Sequence, residues 1–233
     1  MAGVHAAAAY LNLDGANPRD SLEGGSFYLG AHGFLNPESW GSGYLFGQAR
    51  LGLDCYDQER DVRIGRDKSL NKSDWTGFSA SALAGAGYDF TAGEMRFGPL
   101  VLLDYALSWR PGVTESGDLA ALDLDDEAYN SLRSGLGLRA AVPLGESLDL
   151  SATALWNHEF MDNLGRTSAG FVGWGNAAFS SEAEVAWRDS LSATLGLSAQ
   201  VSDNASLSLD AGGEFFRNGY NAAWGGLSFS WGF

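Results

Sequence analysis

Cationic side chains are scarce in this chain: 14 Lys+Arg stand against 29 Asp+Glu in 233 residues, a formal net charge of -15. That surplus repels phosphate backbones and anionic surfaces, and no basic stripe offsets it, so nucleic-acid binding is set aside as a function. Cysteine is nearly absent. Cys55 is the only one, so neither an intramolecular disulfide nor a thiolate metal cluster can form. The only histidines, His5, His32 and His158, fall on three different predicted strands, which argues against a metal site. No stretch of about 18 continuous apolar residues exists, which excludes transmembrane helices. The opening MAGVHAAAAYLNLDG lacks a basic n-region and a continuous apolar h-region and does not read as a secretory signal. Either a cytoplasmic protein or a true start upstream of Met1 is expected.

What is present is glycine and aromatic surface: 32 Gly, 13 Phe, 8 Trp and 8 Tyr. This mixture disfavours helices and suits strands, so the chain reads as all-β. Its length fits one large barrel or two ordinary domains. Mean hydropathy is -0.11, a value compatible with a membrane β-barrel, whose strands show an apolar residue only at every second position.

Strict period-two alternation runs through ten segments, with almost no competing helical period. They are predicted at about 3–12, 25–36, 42–56, 75–90, 95–110, 129–143, 147–160, 181–201, 205–217 and 220–233, with ends good to about two to four residues. In the fifth, Phe97, Val101, Leu103, Tyr105, Leu107 and Trp109 oppose Arg96, Asp104, Ser108 and Arg110. The sixth sets Leu132, Leu136 and Leu138 against Arg133, Gly135, Gly137 and Arg139. In the eighth, Val185, Trp187, Leu191, Leu195 and Leu197 oppose Glu184, Arg188, Ser192 and Thr194. The last places Leu227, Phe229, Trp231 and Phe233 on one face and Gly226, Ser228, Ser230 and Gly232 on the other.

The predicted connections alternate in length. Those after the second, fourth, sixth and eighth strands are short. Those after the first, third, fifth and seventh are mostly long and polar, at about 13–24, 57–74, 111–128 and 161–180. Long and short loops thus gather at opposite ends of an up-and-down meander, the asymmetry of bacterial outer-membrane barrels. A soluble sandwich or lipocalin-like barrel would turn the apolar face inward instead. The polar face mixes its charges with many Gly and Ser, which suits a crowded lumen better than a solvated exterior.

Residues 97–146, FGPLVLLDYALSWRPGVTESGDLAALDLDDEAYNSLRSGLGLRAAVPLGE, resemble the translocator β-domain of autotransporters, the type V secretion family. The strand opening FGPL, the loop GVTESG and the run from Tyr129 to Arg139 carry the likeness, supported by ALWNHEF at 154–160 and by the terminal WGF. The resemblance spans nearly the whole chain. It implies an antiparallel up-and-down transmembrane β-barrel in the bacterial outer membrane, of which about ten strands of the family's twelve are present in one domain, 1–233, truncated at its front. The first two strands, the lumen helix, the passenger and the signal peptide are expected upstream. Implied partners are outer-membrane lipid, the barrel-assembly machinery that reads the terminal aromatics, and a passenger in the same polypeptide. No cofactor is implied, and no bond-making chemistry.

On this reading Arg50, Asp54, Asp104, Arg133, Arg139, Asp210 and Glu214 face the lumen, where they hydrate the pore or pair with one another to fill it. Leu227, Phe229, Trp231 and Phe233 form the assembly signal and the lipid face. His158-Glu159 invites a metalloprotease reading, but the segment HEFMD lacks the second His of HExxH and alternates as a strand; a rim position fits His158 better. The acidic run Asp123 to Glu127 lacks EF-hand spacing and reads as a solvated loop. Alternatives are a porin or adhesin-type barrel, a barrel enzyme of phospholipase or omptin-like type for which no catalytic constellation is nominated, and a soluble all-β binding domain.

Overall fold

The structure, a computed structural model, describes residues 2–14, 19–174, 178–184, 187–202, 204–217 and 220–231. In chain order the strands are β1 (Ala2–Asp14), β2 (Ser21–Leu35), β3 (Gly43–Ile64), β4 (Asp67–Tyr88), β5 (Phe90–Ala92), β6 (Met95–Arg110), β7 (Val113–Thr114), β8 (Leu122–Leu124), β9 (Glu127–Pro143), β10 (Leu148–Glu159), β11 (Asn163–Phe171), β12 (Ala178–Glu184), β13 (Asp189–Ser202), β14 (Ala205–Arg217) and β15 (Tyr220–Trp231). Ten of them form one antiparallel sheet in the order β1-β2-β3-β4-β6-β9-β10-β13-β14-β15, with β5 attached to β6. Between the two end strands β1 and β15, each long strand pairs with the long strand before it and the one after it, the up-and-down meander that strict alternation and short turns dictate.

The sheet is curled, and contacts between strands that are not neighbours demonstrate it. Arg133 on β9 reaches Glu214 on β14 at 3.4 Å, with β10 and β13 lying between. Arg139 on β9 donates to the Tyr44 hydroxyl on β3 at 3.3 Å, across β4 and β6. Such chords can form only on the concave side. Every second residue of each strand therefore points inward, and its neighbours point out.

Polarity is inverted relative to a soluble domain. Leu29, Leu51, Leu53, Leu138, Leu195 and Leu209, all on outward positions, are each more than half exposed, whereas Asp54, Asn157, Glu159, Ser190 and Glu214 are buried on the inner face. The accessible surface is 14863 Å², against about 10,000 Å² for a compact soluble chain of this mass. Among the described residues few large apolar side chains are buried, because most of them line the outside.

The inner face explains the glycine content. Rings from one strand lie over glycines of a neighbour: Tyr56 over Gly24, Tyr28 over Gly52, Phe46 over Gly85 and Tyr44 over Gly87. A Cβ at any of these positions would occupy the space of the ring. Packing large against nothing lets the concave face of the sheet hold aromatics.

Three predicted loops contain strand. The hairpin of β3 and β4 pairs without interruption from Gly43↔Tyr88 to Ile64↔Asp67 and turns at Gly65, whose φ is +64. The predicted loop 57–74 is thus the outer third of this hairpin. Its side chains are mostly polar on both faces, because beyond the last pairs with β2 its inward residues meet the polar groups around Glu115, so the alternation that marks a strand with one apolar face fades there. Residues 111–128 and 161–180 contribute to a second, four-stranded sheet in the order β12-β11-β8-β7. The predicted eighth strand splits: Ala178–Glu184 pairs with β11, and β13 begins only at Asp189. The apolar alternation through Trp187 gave no sign of that break.

Candidate functional site

Charge, hydrogen-bonding capacity and space converge on the inner face. On β3, Arg50 donates its Nε–H to Ser81 Oγ at 3.2 Å and holds its guanidinium 6.0 Å from the centre of the Tyr28 ring. One turn of the strand pattern further, the Tyr28 hydroxyl donates to Asp54 Oδ1 at 3.4 Å. The other oxygen, Asp54 Oδ2, is buried without a partner, and so is Ser79 Oγ beside it. These side chains line a cavity of ≈ 520 Å³ together with Tyr56 and Ser81. An unpaired buried carboxylate oxygen costs free energy unless something polar reaches it, so this wall presents an acceptor to whatever enters.

A second cluster forms on β6, β9, β10 and β14. Asp104 on β6 is in direct register with Arg133 on β9, and Arg133 bridges to Glu214. Glu159, on β10 beside them, is almost wholly buried. It accepts from Ser131 Oγ at 2.6 Å and from the backbone N–H groups of Leu132 and Met161 at 3.0 Å each. Arg139 stands apart from both clusters, stacked 5.7 Å over the Tyr44 ring. Asp210 lies on the same face of β14 as Glu214, and its Oδ1 is 2.5 Å from where a Cβ on Gly196 would sit. Arg50, Asp54, Asp104, Arg133, Arg139, Asp210 and Glu214 therefore share one surface, but in two clusters and two separate positions. Tyr28, Tyr44, Ser79 and Glu159 belong to the same surface and were not nominated from the sequence. Glu159 was legible there, since its place two residues after Asn157 puts it on the inner face by parity; Tyr28 and Tyr44 were hidden because aromatics count as apolar in an alternation pattern.

Leu227, Phe229 and Trp231 lie on the outward side of β15, each more than 60% exposed. Phe233 lies outside the described residues. His158 is also outward: it pairs with Asp189 Oδ1 at 2.9 Å and meets Phe160 edge-on at 5.0 Å. Since Glu159 points in and His158 out, the two cannot act on one metal ion.

At the long-loop end, the β3/β4 hairpin extension and the small sheet meet around Glu115. Its carboxylate accepts two bonds from Arg60, at 2.9 and 2.5 Å, one from the Leu122 N–H at 2.8 Å and a longer one from Asn71. The hydrogen bond to Glu115 raises the Arg60 pKa further above its already high ordinary value. Asn71, with 1% of its surface exposed, also donates to the Leu119 carbonyl at 3.0 Å. The acidic run expected as a solvated loop is partly structural: Asp123 accepts from Thr114 in the β7/β8 pair, and buried Glu127 accepts from Thr167 at 2.6 Å and lies 3.5 Å from Arg110. No cluster of three or more potential metal ligands occurs among the described residues.

Comparison with known proteins agrees with this architecture. Residues 1–212 match the family model of the autotransporter beta-domain. The chain is 27% identical over 213 residues to an extracellular serine protease of Serratia marcescens, covering 86% of this chain and 20% of that protein. It is 31% identical over 115 residues to Esterase EstA of Pseudomonas putida, covering 48% of this chain and 18% of the esterase. The chain thus spans about a fifth of the length of these curated relatives. Its fold is similar to that of the translocator domain of autotransporter NalP from Neisseria meningitidis, with a TM-score of 0.70 at 16% identity, covering 92% of this chain and 68% of that one.

Proposed function

Because the chain belongs to the autotransporter β-domain family, its role is that of an outer-membrane translocator barrel, and we propose how its two faces divide that work. The outward rows, including Leu227, Phe229 and Trp231, contact lipid. The inner face, carrying Arg50, Asp54, Asp104, Arg133, Arg139, Asp210 and Glu214, is the polar wall past which a passenger joined upstream in the same polypeptide is delivered to the cell surface. The barrel-assembly machinery recognises the aromatic end of β15. The observation that carries this reading is the inversion of polarity: carboxylates buried inside and leucines exposed outside are stable only if the exterior is hydrocarbon.

The barrel makes and breaks no bonds. The protease and esterase activities in the relatives' names belong, on this reading, to the four-fifths of those proteins that this chain does not match. The test is reconstitution. Refolded into liposomes, the chain should protect its strands from added protease and give single-channel conductance, while a monodisperse, folded protein in buffer without detergent would refute the membrane assignment. Expression of the complete gene with and without residues 1–233 then tests transport: an upstream region still displayed on the surface after the deletion would remove the translocator role from this segment.

A further inference from the structure

β1 and β2 pair so that His5 stands opposite Gly30 and His32 opposite Gly3. The two histidines are thereby a diagonal pair on the inner face, near the short-turn end of the sheet. Their Nδ1 atoms are 3.3 Å apart and their ring centres 5.5 Å apart, with 33° between the planes. Glycine makes that approach feasible: a Cβ on Gly30 would lie 2.5 Å from His5 Nε2, and one on Gly3 would lie 2.8 Å from His32 Nε2. Each imidazole folds over the glycine across from it and so turns toward the other.

Two imidazole nitrogens bound at about 2.0–2.1 Å to a tetrahedral ion stand about 3.3–3.4 Å apart. The observed separation matches that span; it is also that of a hydrogen bond between the two rings, which a bound ion would replace by displacing the shared proton. We propose that His5 and His32 form a two-histidine site for a divalent transition metal of the zinc class, with water completing the tetrahedron. Imidazole suits zinc, copper and nickel. Among the described residues no third His, Cys, Asp or Glu joins the pair, so the site binds less tightly than structural zinc centres with four protein ligands. Its effect follows from its position. β1 is hydrogen-bonded to a neighbour on one side only among the described residues, and a metal ion bridging β1 and β2 clips that edge strand to the sheet. The proposal needs only the β1/β2 register, so it stands or falls separately from passenger transport.

The untagged chain, refolded in detergent, is titrated with zinc against a chromophoric zinc indicator. One zinc per chain is expected for the wild type and for His158→Ala, with affinity falling at least about tenfold in His5→Gln and in His32→Gln. Zinc should raise the unfolding temperature of the first two proteins by mass action and leave the latter two unmoved. Equal affinity in all four, or no saturable uptake up to about 1 mM zinc, overturns the site. A measurement on the wild type alone keeps the test decisive if a variant fails to fold. Diethylpyrocarbonate labelling read by mass spectrometry should be blocked by zinc at His5 and His32 but not at His158, and uniform labelling with and without zinc refutes the proposal.

Discussion

The paired hairpin β3/β4 and the edge strands β1 and β15 are made of similar residues in similar alternation, yet they are buried very differently. β3 and β4 pair over 22 residues each and have a neighbour on both sides through most of the sheet; Tyr44, Asp54, Asn71 and Ser73 are all buried. β1 and β15 are paired on one side only among the described residues, and nearly every residue of β1 is exposed, inward and outward positions alike. In an inverted barrel a side chain is buried by chords across the interior and by the strands on either flank. The middle of the sheet has both and the edges have neither. Unpaired edges invite further pairing, so the edges are the part of this molecule whose environment matters most to its state.

Five substitutions would break or sharpen that contrast. The largest effect is expected at the hairpin extension. Glu115→Ala leaves Arg60 and Asn71 facing an empty acceptor site, and should cost about 3 kcal/mol, the low end for loss of a buried partner, because Arg60 keeps about 28% of its side chain in water. Hydrogen exchange or protease cleavage within 110–125 reads it directly, and unchanged protection would mean the small sheet is held by other contacts. Next, Phe229→Arg on β15 should cost about 2–4 kcal/mol if the residue sits at bilayer mid-depth and less toward the rim. The folded fraction in liposomes measures this, and an unaltered fraction would count against lipid contact at that row.

Smaller and more pointed is a pair of inward glycines. Gly85→Leu must displace the Phe46 ring and should cost about 1–3 kcal/mol as overpacking. Gly226→Ala on β15 meets nothing within 4 Å and should stay within about 0.5 kcal/mol of the wild type. Denaturant unfolding of both in the same detergent compares middle with edge, and equal costs would show that the edge is covered in solution. Least of all, Lys72→Gln removes an ion pair to Glu59 whose two side chains are 57% and 40% exposed; after solvent screening, a change of at most about 0.5 kcal/mol is expected. A larger loss in low salt that vanishes at high salt would reveal a stronger surface network than the pair suggests.

Much of the fold was legible in the sequence because strand geometry has period two. Leu132, Leu136 and Leu138 against Arg133 and Arg139 can be arranged in only one way on a pleated strand, and β6, β14 and most of β9 lie where the pattern places them. The extension at 57–74 was illegible for the same reason. Arg60, Asp61 and Arg63 on one strand and Lys68, Asn71 and Lys72 on the other are polar on both faces, and strands whose inward residues are held by hydrogen bonds and ion pairs carry no hydrophobic alternation. The small sheet was hidden too, since its two-residue and three-residue strands β7 and β8 are shorter than any periodic signal.

By itself, then, the sequence determined that this is a meander of strands with one apolar and one polar face, since backbone geometry alternates side chains whatever surrounds them. Alternation alone could not determine which face is enclosed, because it is symmetric between inside and outside; the polar face was placed inward on its Gly and Ser content and on the family resemblance. Tertiary structure decided that through the chords from Arg133 to Glu214 and from Arg139 to Tyr44. It also decided that Asp54 keeps an unpaired oxygen toward a cavity, and that His5 and His32, 27 residues apart, meet across a strand pair. Those outcomes rest on register and curvature, which depend on how neighbouring strands are aligned and not on any one strand's own residues.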